Sequence, residues 1–176
     1  MTARRRPEDR VGRAVAEHGL DVVVGWCLDL LAGRPVDDEV VDLLGGAGSA
    51  ALVAGYRADP AKPQYWPRVW AARGLRYAWT DDPDVHRAVR AALVDDAWRV
   101  REHAAALVRL HEVADAAPLL RSLLDDEVPR VRTAAAAALV VVGEHDDLVA
   151  LASARDVDEE AVAALAARLD VPDPRA

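Results

Sequence analysis

One cysteine, five histidines and a set of regularly spaced arginines are the residues with which this chain could do chemistry. A thiol nucleophile needs a lowered pKa, partial exposure and a nearby base. Cys27 lies instead in the apolar run Val22-Val23-Val24-Gly25-Trp26-Cys27-Leu28, and His18 is nine residues upstream, at no helical spacing that would join them. The pattern predicts a buried structural thiol. A single Cys permits no intrachain disulfide and points to a reducing compartment. The histidines, His18, His86, His103, His111 and His145, form no two-His metal motif. Zinc needs three or four converging ligands, so no metal and no cofactor is expected. Gly45-Gly46-Ala47-Gly48 has no Lys-Ser/Thr after it and reads as a turn, not as a phosphate loop.

The remaining candidates are binding residues. Arg90 and Arg121 stand 31 apart and Arg87 adds a third charge, whereas Ala152 takes the next equivalent place among acidic neighbours. A surface basic at one end and acidic at the other would select a charged peptide; charges at helical spacing also describe an ordinary solvated face. Arg68, Arg99 and Arg130 form a second set with the same spacing. Trp66 and Trp98 are candidate interface anchors, since exposed Trp is enriched at binding hot spots. In a chain without Phe, Trp70 and Trp79 are expected to serve as core.

The elements that position these residues follow from an internal period. Pro67-Arg68-Val69-Trp70, Trp98-Arg99-Val100-Arg101 and Pro129-Arg130-Val131-Arg132 follow one another by 31 residues. The same offset aligns Ala88, Val89, Ala92 and Leu93 with Leu119, Leu120, Leu123 and Leu124, and then with Ala150, Leu151 and Ala154. Val100, Ala104, Leu107 and His111 make the stripe of a first helix, and Leu119, Leu120, Leu123 and Leu124 that of a second. Asp115 with Pro118, and Asp82 with Pro83, offer helix starts, and Gly143 a helix end. One such hairpin cannot bury both stripes, so neighbours must stack.

The reading is all-α: a right-handed α-solenoid of helical hairpins with a 31-residue period. Residues 1–65 are expected to form an N-terminal helical cap with a disordered start and a proline-rich loop at 58–67. Residues 66–156 hold three repeats, and 157–176 a capping helix at 159–169 with a frayed tail. Helices are expected at 20–31, 37–44 and 49–56.

Apolar residues make up 52% and charged residues 30%, which is globular. The net charge of −8, with ten Asp or Glu against five Arg in residues 127–176, argues against nucleic acid or an anionic membrane as partner. The longest apolar run, 134–143, is too short to cross a bilayer, and the start has no signal-peptide form, so a cytoplasmic protein is expected.

Asp95-Asp96, Val100-Arg101, Ala104-Ala105-Ala106 and Leu119-Leu120, followed by Asp125-Asp126, Val131-Arg132, the 134–138 alanines and Leu151, resemble the HEAT-like repeats named after phycobilisome lyases. The resemblance covers residues 66–156 well and implies a small bacterial member of that group. It implies that the second helices, with Arg87, Arg90 and Arg121, line a concave groove. It also implies that the turn Asp and helix Arg, six apart at Asp95/Arg101 and Asp126/Arg132, bond from one repeat to the next. Gln64/Trp70 and Asp156/Val162 depart from that pattern, so the ladder is expected only in the central repeats. The function expected is a non-enzymatic scaffold binding another protein's segment in the groove. The alternatives are a lyase-like role in tetrapyrrole attachment and a HEAT-like DNA repair glycosylase. The partner's identity and the oligomeric state stay open.

Overall fold

The computed structural model describes residues 6–59 and 61–175. Among them are eleven α-helices and no strand. They are α1 (Pro7–His18), α2 (Leu20–Leu31), α3 (Asp38–Gly45), α4 (Ser49–Arg57), α5 (Trp66–Gly74), α6 (Pro83–Ala92), α7 (Trp98–His111), α8 (Ala117–Leu123), α9 (Pro129–Val142), α10 (His145–Ser153) and α11 (Glu159–Leu169). The chain divides into two compact units, Met1–Ala88 and Val89–Ala176. The all-α expectation holds.

In the first unit, α1 packs on α2, α3 and α5, and α2 packs along α5. Helix α1 was not anticipated. Its Pro7 suits the first helical turn, Glu8 and Asp9 favour the positive end of the helix dipole, and only Val11 and Ala14 are buried. So narrow an apolar face leaves little periodic signal. Arg10 of α1 closes the far end of α3, its Nε and Nη2 each donating at 3.0 Å to the carbonyls of Leu43 and Leu44. Glycine is needed where α3 meets α5, because a Cβ at Gly45 would stand 2.7 Å from Trp70 Cε3 and overlap Ser49. The expected loop at 58–67 ends earlier, since Pro67 lies in the first turn of α5; Pro60 falls outside the described residues.

In the second unit, α7, α9 and α11 lie side by side, and α8 and α10 pack on each other and on α9. These are the two layers of stacked hairpins that the 31-residue period requires. Their shared core is aliphatic: Leu107, Leu120, Leu139, Leu151 and Leu165 are fully buried. Burying each such side chain contributes roughly 1.5–3 kcal/mol. Alanine at 135, 136 and 138 on α9 lets its neighbours approach closely.

Two local expectations are corrected here. Asp115 is not the N-cap of α8; Ala116 is, and Asp115 adopts the left-handed conformation at φ 58°. Ala116 is buried, which turns Asp115 outward, and Asp tolerates this backbone better than most residues. Residues 170–175 are not frayed. Arg175 donates to the carbonyls of Leu151, Ala152, Ala154 and Val157 and so closes the end of α10.

Candidate functional site

In the second unit, the arginine at the fourth residue of α7 and of α9 bonds from one hairpin to the next. Arg101 donates from Nη1 to the carbonyls of Asp95 (2.8 Å) and Asp96 (3.1 Å), in the turn that precedes its own helix. Its Nε and Nη2 reach forward to the Asp126 carboxylate at 2.7 and 3.2 Å. Arg132 repeats the arrangement one rung on, donating to the carbonyls of Asp126 and Glu127 and pairing with Asp156. The ladder therefore extends to Asp156, which the six-residue spacing did not include. Asp126 itself receives the Val128 N–H at 2.8 Å. Burial alone would raise the Asp126 pKa, but the Arg101 hydrogen bonds, the Val128 N–H and the charges of Arg101 and Arg132 outweigh it and hold the carboxyl below its ordinary value.

The candidate binding arginines are largely committed to internal bonds. Arg121 of α8 donates to Asp147 at 2.8 Å, and Asp147 is 1% exposed while Arg121 keeps 42% of its side chain in solvent. Asp147 also accepts the Glu144 N–H at 2.8 Å in a reciprocal capping box that starts α10. Arg90 donates to the Ala114 carbonyl at 2.9 Å. Arg90 and Arg121 thus hold neighbouring parts of the second unit. Arg87 belongs to the first unit and pairs at the surface with Asp84.

Around Arg121 opens a cleft of about 430 Å³, between the 112–118 turn and the 141–147 turn. It is lined by Glu112, Asp115, Glu144 and Asp147 against the single cation Arg121. Arg121 is already matched to Asp147, and the side chains of Glu112 and Asp115 bond to no described residue. The free charge facing the cleft is negative, opposite in sign to that suggested by the arginine spacing. Asp147 breaks the 31-residue period, since the preceding repeat has Ala116 at that place, so no spacing argument could have found it.

The tryptophans lie elsewhere. Trp98 is half-buried, with the Arg99 guanidinium 4.2 Å and the Arg130 guanidinium 5.8 Å from its ring centroid. Trp66 is half-buried beside Tyr65 and stacks at 6.2 Å on Trp70, which is core; Trp79 is half-buried against His86. Cys27 is fully buried, and burial pushes its thiol up to about 12, so it carries no thiolate near neutral pH. Among the described residues no three His, Cys, Asp or Glu converge as a metal site, and no helix is long and apolar enough to cross a membrane.

One segment of the second unit matches a known repeat. Residues 116–146 match the HEAT repeat family model. This HEAT repeat runs from the N-cap of α8 through α9 into α10, so it contains Asp126, Arg132 and most of the cleft wall. HEAT repeats generally mediate protein–protein interaction and are typically non-enzymatic. No curated protein and no solved structure matches the chain.

Proposed function

We propose that the chain is a non-enzymatic protein-interaction scaffold that takes a basic segment of a partner protein into the cleft beside Arg121. The observation carrying this reading is the cleft's position: it is formed by the two turns that flank the HEAT repeat, and its unmatched charges are the carboxylates of Glu112 and Asp115. A lysine or arginine side chain there would meet those carboxylates in a partly enclosed site, where charge pairs fix register and specificity more than raw affinity. The same negative charge speaks against a DNA strand, whose phosphates need a cationic surface. No feature of the described residues supports a tetrapyrrole lyase.

Arg121→Glu is a poor probe, because it would set a second carboxylate against buried Asp147. Glu112→Gln/Asp115→Asn removes both surface charges and keeps at 115 a residue that tolerates the left-handed backbone. The test compares the wild-type chain and this variant as bait in lysate of the native host. One protein retained in near-stoichiometric amount by the wild type, released by salt and lost with the variant, is the expected result. Equal retention by both would remove the cleft as the site. Retention by neither would remove the scaffold reading.

A further inference from the structure

Arg109 of α7 lines two depressions at once, one of about 380 Å³ between α7 and α9 and one of about 420 Å³ between α9 and α11. It is exposed, and its guanidinium bonds to no described residue. The floors are small and apolar: Ala106, Ala134, Ala161 and Ala164, with Ala137 shared by both. A solvated helix face normally carries charge at such positions.

The repeat explains why the space is open. Arg168 stands 31 residues after Ala137 and lies across the end of α9, donating to the carbonyls of Val140 (2.8 Å) and Gly143. The equivalent side chain over α7 is missing, because Ala137 replaces it. Val140 and Val141 edge the second depression, and Leu110, 51% exposed, continues the face on α7 four residues beyond Ala106.

The charges say what covers this face. Beside the unmatched cation Arg109 stand Asp158 and Glu160, whose carboxylates likewise bond to no described residue. A partner of one sign would leave one of these charges against its like, which costs affinity. A copy of the same face, rotated by a two-fold axis, supplies the opposite sign at each place. We propose that the α7–α9–α11 face is a homotypic interface, in which Arg109 of each chain meets Asp158 and Glu160 of the other. The alanine floors let the α9 helices approach closely, and the exposed Leu and Val side chains supply the apolar centre. This surface meets the Arg121 cleft at Val141 but shares none of the charged residues tested there, so either proposal can fail without the other.

Sedimentation equilibrium of the full chain over a range of concentrations tests it. The expected species has twice the 19.0 kDa chain mass. Arg109→Glu should weaken association by about tenfold or more, as like charges then face each other. Asp158→Arg/Glu160→Arg should do the same, and the three changes together should restore the dimer. Both sites are at the surface, and each variant is read only if it keeps the wild-type helical circular dichroism; Ala137→Arg, which refills the groove, gives an independent loss of dimer. A wild-type chain that stays at the monomer mass at every concentration overturns the proposal. So does a dimer indifferent to Arg109→Glu and to Ala137→Arg.

Discussion

At the residue scale, the two ladder arginines look alike in sequence but differ in what they leave behind when removed. Arg101 and Asp126 have side chains only 12% and 5% exposed, so Arg101→Ala strands a buried carboxylate. That should cost about 3 kcal/mol, the usual scale for breaking one side of a buried pair. Arg132 is itself buried, but Asp156 is 59% exposed and would be rehydrated at once. Arg132→Ala should therefore lower stability by less, about 1–2 kcal/mol from lost packing and two carbonyl bonds. Urea unfolding of both variants checks the order; an unchanged Arg132→Ala curve would count against the ladder as a stabilising device.

Acid gives a second reading of the same pair. The Asp126 carboxyl is held below its unfolded value of about 3.9. A group lowered in the native state stabilises fully above its unfolded pKa, and that contribution disappears as pH falls through the native value. Wild-type stability should thus drop below about pH 4, and Asp126→Asn should show a shallower drop over the same range when unfolding midpoints are compared.

At the element scale, the helices of the three repeats were legible because their apolar stripes recur with one period, and α11 begins and ends where its pattern does. Helix α1 was not, because most of its residues are charged or small and two buried positions make no stripe. The cleft was half legible. The spacing of Arg90 and Arg121 placed them correctly on second helices, but pairing is decided by Asp147, which no periodicity announces. Helix crossings were also out of reach, because a glycine at an interface reads the same as one in a turn. Gly45 shows this, with no room for a Cβ between Ser49 and Trp70. Gly45→Ala should overpack that junction and cost about 1–3 kcal/mol. Thermal unfolding should then begin in the first unit, as followed by the near-ultraviolet tryptophan signal, since four of the five tryptophans lie in that unit.

On the scale of the whole chain, arginine is the fastener, with 21 Arg to one Lys. A guanidinium holds its donors in a rigid planar fork, so it grips two acceptors in a fixed geometry and loses less freedom per bond than a flexible ammonium. Arg10, Arg168 and Arg175 each use the fork on carbonyls at the end of another helix. Arg175→Ala should release the end of α10 and lower stability by about 1 kcal/mol, or roughly 2–4 °C in melting temperature; an identical melting curve would show the C-terminal latch to be idle.

These fasteners also have a direction. Arg90, Arg101, Arg121 and Arg132 reach groups that come 24, 25, 26 and 24 residues later in the chain. Arg168 and Arg175 reach back instead, by 28 and 23 residues to Val140 and Ala152. On a ribosome, which adds about 5–20 residues per second, each newly emerged hairpin waits on the order of one to five seconds for the acceptor that closes it. Protease protection of stalled nascent chains should accordingly arrive in steps, each about one hairpin behind the growing end. The last step should come only when Arg175 has left the exit tunnel and the backward grips lock the final turn.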